Sequence, residues 1–175
     1  MPAHPAQEPP SGAGWIREIK HDGFRIMARR DGTRVRLYTR NGYNFADRFP
    51  QIVDSISDLR AESCFLDGEA IVVDERGLSV FNLLRYRCYD HAVVLCAFDP
   101  IELDGDDLRP FPIEQRKDRL GNLLRSVRRS NASITLNEHY GGDAAVIYKH
   151  ICKFGCEGIV SKRLGSPYRS GRSDH

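Results

Sequence analysis

One lysine beside a tight turn is the residue in this sequence best suited to covalent chemistry. Lys20 opens the stretch Lys20-His-Asp-Gly-Phe-Arg25, in which the Asp-Gly pair predicts a turn at the end of a strand. A lysine amine attacks phosphorus only when it is deprotonated, and a neighbouring cation such as Arg25 favours loss of that proton. The glycine also allows close approach of the backbone to a ligand. Because Asp-Gly turns beside lysine are common, a plain structural turn remains the alternative at this point.

Two glutamates and several arginines add groups that bind metal ions and phosphates. Glu69 alternates with Ile71 and Val73 along a predicted strand, and an unpaired carboxylate on that inward face would be costly to bury. A ligand role therefore explains Glu69 better than core packing does. Glu69 and Glu157 both offer the hard oxygen ligands that Mg²⁺ prefers. Planar guanidinium groups suited to phosphate or ribose oxygens are carried by Arg25, Arg40 and Arg172.

Six segments that contain these residues follow one another along the chain. They are Lys20 to Arg25, Thr39-Arg-Asn-Gly42 with Arg48-Phe-Pro50, Phe65-Leu-Asp-Gly-Glu69, Phe98-Asp-Pro-Ile-Glu-Leu-Asp-Gly105, Glu157-Gly-Ile-Val-Ser-Lys162 and Ser166-Pro-Tyr-Arg-Ser-Gly-Arg172. In type and order they resemble the motifs of the adenylation domain of ATP-dependent DNA ligases. The bacterial end-joining kind, ligase D and ligase C, is the most similar, and the resemblance runs from Trp15 to Ser173.

The resemblance implies a reaction and a set of roles. Lys20 would attack ATP and carry AMP as lysyl-AMP, with Mg²⁺ bridging the phosphates, and AMP would then pass to the 5′-phosphate of nicked or broken duplex DNA. A 3′-hydroxyl would displace the AMP and seal the strand. The other roles implied are adenine stacking by Phe98, an adenine-side contact by Glu18, ribose and metal contacts by Glu69, metal binding by Glu157, and a position near the phosphates for Lys162.

The chain departs from the family pattern at its end. Relatives continue into a Trp-Leu-Lys-x-Lys strand and an OB-fold domain, whereas this sequence stops at His175. We therefore expect a C-terminally truncated domain, and three origins stay open: a fragment, a decayed gene product, or one part of a split enzyme in which a separate chain supplies the OB-fold. End-joining proteins are further candidate partners. One alternative is a non-catalytic remnant that binds ATP, AMP or DNA. The other is an RNA ligase or capping-type nucleotidyltransferase, although the stretches at Arg40 and Ser166 favour a DNA ligase.

Hydrophobic periodicity predicts an α+β fold with antiparallel sheets flanked by helices, and the resemblance implies an incomplete, ATP-grasp-like nucleotidyltransferase core. Residues 1–14, rich in Pro, Ala and Gly, are predicted to be a flexible leader, and residues 15–175 the domain. A glycine-rich phosphate loop and regular strand–helix alternation are missing, which argues against a P-loop enzyme. The predicted strands are 15–20, 23–30, 33–39, 65–74, 92–98, 134–137 and 157–162, with the second and third joined by the hairpin signal Asp31-Gly32. The predicted helices begin at Pro50 and span 79–86, 113–127 and 143–154, the last capped by Asp143 and closed by Gly155.

Composition and charge bear on the binding partners and on the location of the protein in the cell. A net charge of +2, with 41% hydrophobic and 29% charged residues, is ordinary for a globular chain. The basic stretch Arg116 to Arg129 is predicted to be a solvated helix face, with DNA contact as the alternative. Asp99 and Asp104 are predicted to form turns, and His21 and His139 receive no role. Core-like free cysteines and no membrane segment predict a cytoplasmic protein, and the resemblance implies that it is bacterial and nucleoid-associated.

Overall fold

The computed structural model describes residues 8–125, 127 and 132–170. The strands are β1 (Trp15–Lys20), β2 (Phe24–Asp31), β3 (Arg34–Thr39), β4 (Ser63–Ile71), β5 (Val94–Leu103), β6 (Asp106–Asp107), β7 (Ile134–Leu136), β8 (His139–Tyr140) and β9 (Gly158–Arg163). The helices are α1 (Pro50–Ser57), α2 (Phe81–Arg85), α3 (Ile113–Leu124) and α4 (Ala144–Phe154). These elements confirm the predicted α+β class.

The larger sheet has the strand order β3-β2-β4-β5-β6, and β7 lies parallel beside β5. Its other pairings are antiparallel, as predicted. The β2–β3 hairpin turns at Gly32, whose φ of +57° lies in the left-handed region that glycine adopts without steric conflict. The Asp-Gly hairpin signal in the sequence therefore predicted this connection correctly.

Helices α1 and α3 pack against the larger sheet. Ile52 and Ile56, four residues apart on α1, are fully buried in one cluster with Leu120 of α3 and Leu66 of β4. Burial of each such side chain stabilises the fold by about 1.5–3 kcal/mol. Helix α1 begins at Pro50, where the missing N–H leaves no intrahelical hydrogen bond unmade. This apolar stripe holds both helices on the sheet that carries half of the site.

The smaller sheet has the order β8-β1-β9, with both pairings antiparallel. Helix α4 contacts β9 and has the predicted ends. Its N-cap Asp143 accepts hydrogen bonds from the backbone N–H groups of Ala145 (2.8 Å) and Val146 (3.0 Å), and Gly155 ends it with a φ of +94°. The smaller sheet thus places β1 between two strands, with Lys20 opposite Gly158.

The described part of the predicted flexible leader, residues 8–14, is irregular chain held against the smaller sheet. Arg17 is fully buried, and its guanidinium group donates hydrogen bonds to the carbonyl oxygens of Pro10 (3.0 Å) and Gly142 (2.9 Å). The backbone N–H of Leu164 donates to the carbonyl of Gly14. These contacts hold the described residues 10–14 against the smaller sheet, and residues 1–7 of the predicted leader lie outside the described part of the chain.

The two sheets meet at the turn that follows Lys20. Gly23 packs so tightly there that a Cβ atom would lie 2.3 Å from the carbonyl oxygen of Ala70 on β4. The sequence predicted that this glycine allows the backbone to approach a ligand closely, but the close contact in the structure is with the backbone of β4. Because the contact is between two backbones, the turn has little freedom to move away from β4.

Strand β5 is longer than predicted and runs past Phe98 to Leu103. Asp99 consequently lies inside the strand, with 3% of its surface exposed, and the prediction that it forms a turn was wrong. A buried arginine on α3 neutralises this aspartate, a tertiary contact that local sequence does not reveal. Asp104 does form a turn, with a φ of +49°. Strands β6 and β8 were not predicted, and the other differences are shifts of a few residues at element ends, such as α3 ending at Leu124 instead of Val127.

The cysteines and the hydropathy of the helices relate to the predicted location of the protein. Cys64 and Cys96 are buried in the larger sheet, as predicted for core thiols, and burial raises the pKa of each to about 12. Within the described ranges, none of the helices combines the length and apolar character needed to cross a membrane.

Candidate functional site

A cleft of about 820 Å³ opens where the end of β1 faces β2, β4, β5 and β9. Strands that are distant in sequence bring their polar residues together there. Arg172, a predicted phosphate contact, lies outside the described residues. The cleft is lined by all the other predicted site residues, namely Glu18, Lys20, Arg25, Arg40, Glu69, Phe98, Glu157 and Lys162.

Lys20 reaches the cleft with its ammonium group paired to the carboxylate of Glu157. The pair follows from the β1–β9 register, because Lys20 lies opposite the residue after Glu157. Both side chains are about half exposed, at 44% and 46%, and solvent-exposed ion pairs of this kind contribute at most about 1 kcal/mol. The pair can therefore open at small cost and free the amine.

Arg25 is anchored by Asp67, a fully buried aspartate of β4. Arg25 Nε donates to Asp67 Oδ1 (2.9 Å) and Nη2 donates to Oδ2, while the hydroxyl of Tyr168 donates to Oδ2 (2.9 Å). Burial alone would lower the pKa of Arg25, but its bonds to Asp67 raise it above the ordinary value. Arg25 is thus a charge-compensated group, and the expectation that it acts as a free cation beside Lys20 needs correction.

Glu69 lies opposite Arg25 in the β2–β4 register, with its carboxyl group in the cleft. Burial raises the pKa of Glu69 to about 7, against the opposing effect of Arg25 and with reinforcement from the nearby Asp67. At neutral pH this carboxyl group is therefore about half protonated. A bound cation would displace that proton, which suits a metal ligand.

Phe98 presents its ring to the cleft between two cations. The guanidinium carbon of Arg25 lies 5.2 Å from the ring centre, and the Nζ of Lys162 lies 4.8 Å from it. Both distances are in the range of cation–π contacts. The half-buried ring is therefore a cleft surface as well as part of the sheet.

Glu18 lines the cleft but has only 2% of its surface exposed. Lys162 Nζ lies 2.9 Å from Glu18 Oε2, and Lys117 Nζ lies 2.6 Å from Oε1. The sequence pattern assigned no site role to Lys117. The carboxylate expected to contact adenine is therefore already bound by two ammonium groups.

The basic stretch of α3 is not the uniform solvated face that was predicted. Arg116 and Lys117 are buried, and Arg116 donates to both carboxylate oxygens of Asp99, at 2.7 and 3.1 Å. Amphipathic spacing places both residues on the inner side of the helix, where buried carboxylates compensate their charge. Arg119 and Arg125 are exposed beside a depression of about 520 Å³, and Arg128 and Arg129 fall in the undescribed part.

Asn137 links two backbone segments beneath the cleft by hydrogen bonds. Its N–H donates to the carbonyl of Ala97 (2.8 Å) and its side-chain Nδ2 donates to the carbonyl of Ile19 (3.2 Å). Burial lowers the pKa of His21, which lines the cleft, and a hydrogen bond with Asn137 partly offsets this. Asp67 and Tyr168 lie inside motifs that the sequence displays, whereas no local signal marks Asn137 or Lys117.

The carboxylates of the cleft fit Mg²⁺ that arrives with a phosphate ligand. Mg²⁺ is usually held by one or two carboxylates together with waters and phosphate oxygens, and Glu69 and Glu157 supply two. Among the residues described, no group of three or more His, Cys, Asp and Glu side chains could hold a metal ion. These two carboxylates therefore suit a Mg²⁺ ion that is also bound by nucleotide phosphates better than an ion held by protein ligands alone.

Comparison with known proteins agrees with this fold. The ATP dependent DNA ligase domain family matches residues 6–175, and the chain belongs to that family. The multifunctional non-homologous end joining protein LigD of Pseudomonas aeruginosa is 35% identical over 171 residues, which are 96% of this chain and 20% of that protein.

Solved structures of mycobacterial relatives have the same architecture. The ligase domain of Mycobacterium tuberculosis LigD is 32% identical, with a TM-score of 0.77 over 90% of this chain and 51% of that one. A mycobacterial DNA ligase D complexed with ATP and MES is also 32% identical, with a TM-score of 0.76 and the same coverage. The chain thus spans about half of these structures and one fifth of the end-joining protein.

Proposed function

We propose that this chain is the adenylation domain of an ATP-dependent DNA ligase, in which Lys20 accepts AMP from ATP. The main support is the position of Lys20 at the edge of a cleft lined by Glu69, Phe98 and Glu157. Such a set suits an adenine ring, a ribose and a metal-bound phosphate chain. A solved relative of similar fold was complexed with ATP, which agrees with a nucleotide in this cleft.

The proposed first step exchanges one phosphorus bond for another. The Nζ of Lys20 leaves Glu157, loses a proton to solvent and attacks the α-phosphorus of ATP. An N–P bond forms, the nitrogen loses its second proton to solvent, and the bond from the α-phosphorus to the bridging oxygen breaks with release of pyrophosphate. The half exposure of Lys20 and Glu157 gives the proton a direct route to water.

The remaining cleft residues bind and orient the nucleotide in this proposal. Phe98 stacks on adenine with Glu18 at the edge of the base, and Lys162 lies near the phosphates. Arg25 and Arg40 face phosphate or ribose oxygens, and the undescribed Arg172 is proposed to do the same. Mg²⁺, held by Glu69 and Glu157, would supply charge stabilisation to the phosphates.

The later steps and partners are proposed from the relatives. AMP passes from Lys20 to the 5′-phosphate of a nicked or broken duplex, and a 3′-hydroxyl displaces it. The end-joining name of the Pseudomonas relative favours a role in DNA repair or recombination with other end-joining proteins. An OB-fold provided by another segment or chain is part of this proposal, as is a cytoplasmic, nucleoid-associated location.

Transfer of label from ATP tests the proposal. The 175-residue chain is incubated with Mg²⁺ and ATP labelled at the α-phosphate, and acid-stable label on the protein is counted. Wild type and Lys149→Ala should be labelled, because Lys149 is exposed on α4 outside the cleft, whereas Lys20→Ala should not. Equal labelling of wild type and Lys20→Ala would exclude Lys20 as the acceptor. ATP binding without any label would favour a non-catalytic nucleotide-binding domain.

A further inference from the structure

We propose that Lys117 is a positioning residue of the nucleotide site, acting as the fixed counterion of Glu18 so that Lys162 is free to contact the nucleotide. This inference rests on the proposed function for the identity of the ligand. It assigns different tasks to two lysines that share one carboxylate. Lys117 never touches the nucleotide in this arrangement.

The contacts of Glu18 show that it has two counterions in different surroundings. Lys117 lies 2.6 Å from Oε1 with 1% of its side chain exposed, whereas Lys162 lies 2.9 Å from Oε2 with 14% exposed. Lys162 lines the cleft, and Lys117 does not. The carboxylate therefore has one counterion inside the protein and one facing the ligand space.

The surroundings of Lys117 keep it in place. Its Nζ also donates to the carbonyl oxygen of Asn137 (3.2 Å), and Asn137 is bonded to the backbones before Lys20 and Phe98 through Ile19 and Ala97. Burial lowers the pKa of Lys117 below its ordinary value, and the charge of Glu18 opposes this shift by favouring the ammonium form. The pair joins α3 to β1 directly beneath the cleft.

The charge balance explains why two lysines are needed. The Nζ of Lys162 lies 4.8 Å from the ring centre of Phe98, where a stacked base would lie next to it. If Lys162 were the sole counterion, its movement to a ligand would leave Glu18 as a buried, unpaired carboxylate, which is strongly unfavourable. Lys117 remains on Glu18 when Lys162 moves. The nucleotide can then recruit Lys162 without that penalty.

ATP binding by the whole chain tests this division of tasks. The dissociation constant for ATP is measured by calorimetry for wild type, Lys117→Met and the double variant Glu18→Gln/Lys117→Met. Lys117→Met should weaken ATP binding about tenfold or more, because Lys162 is then retained by Glu18. The double variant should bind ATP more tightly than Lys117→Met does, because a neutral amide needs no counterion and does not retain Lys162. Lys149→Met, an exposed lysine on α4, serves as the matched control and should stay within about twofold of wild type.

Two results would overturn the proposal. One is a folded Lys117→Met variant that binds ATP as wild type does, and the other is a folded double variant that fails to recover binding. If Lys117→Met does not fold, the double variant decides in the same way, because it contains no buried unpaired charge at this site. A wild-type chain that binds ATP without forming lysyl-AMP would contradict the proposed chemistry alone. A wild-type chain that binds no ATP would contradict both.

Discussion

In the proposed reaction, the ion pair between Lys20 and Glu157 has to open before the amine can attack. An ammonium group paired with a carboxylate has no free electron pair, so the amine must leave Glu157 and lose a proton before it can attack. Glu157 is also a proposed metal ligand. In this proposal, a cation that binds Glu157 would release Lys20. Lys20 would therefore become free to react only when the metal-bound nucleotide is present.

Glu69 predicts a pH-dependent stability. Its pKa in the folded chain is raised to about 7 from an ordinary 4.5, so the folded state binds more protons than the unfolded state between these values. The stability contribution of protonated Glu69 is complete below pH 4.5 and is lost as the pH rises toward 7. Glu69→Gln, which mimics the protonated form, should thus gain stability relative to wild type by about 2 kcal/mol between pH 5.5 and pH 8.

Urea unfolding without Mg²⁺ at these two pH values measures the effect. Glu75→Gln, at an exposed turn, is the control and should differ from wild type by the same small amount at both. A difference between Glu69→Gln and wild type that does not change with pH would show that the Glu69 carboxyl group is ionised throughout this range.

The turn between β1 and β2 is the element on which the site depends most directly. Gly23→Ala introduces a Cβ atom at 2.3 Å from a backbone oxygen of β4, which cannot rotate away, so we expect a loss of about 3 kcal/mol in the free energy of unfolding. Gly14→Ala meets nothing within 4 Å and should change it by about 0.5 kcal/mol or less. Chemical denaturation compares the two variants. Equal stability would mean that the two backbones separate easily at this point.

Helix α3 is attached to β5 by the buried pair of Arg116 and Asp99. Arg116→Met leaves Asp99 buried without its counterion and should destabilise the fold by about 3–5 kcal/mol in urea unfolding. Arg119→Met on the same helix removes an exposed guanidinium group with a 3.5 Å contact to Asp106, and should cost about 1 kcal/mol or less. Similar losses for both would mean that the buried pair contributes no more than a surface contact.

Sequence periodicity was sufficient for most elements, because hairpins, caps and apolar stripes are local properties. The Asp-Gly hairpin at Gly32, the proline start of α1 and the Asp143 cap of α4 all appear where they were predicted. The motifs likewise identified eight residues that line one cleft. Pairings between distant segments were missed. Nothing near Asp99 in the sequence indicates its buried pair with Arg116, and nothing near Lys117 indicates its buried pair with Glu18.

At the scale of the whole molecule, the site exists only because the two sheets meet. The smaller sheet supplies Lys20 and Lys162, the larger sheet supplies Glu69 and Phe98, and Asn137 bonds to both through Ile19 and Ala97. The chain covers about half of the solved relatives it matches. The described residues supply the proposed nucleotide cleft and the proposed acceptor lysine, and the sealing of DNA with further partners belongs to the proposed function.

In the proposed function, AMP becomes attached to one particular lysine, Lys20. The most direct measurement is peptide mapping by tandem mass spectrometry after incubation of the wild-type chain with Mg²⁺ and ATP. We predict one AMP on the peptide that contains Lys20, and unmodified peptides for Lys117, Lys149, Lys153 and Lys162. AMP found on a different lysine, or no AMP on a chain that demonstrably binds ATP, would contradict the account.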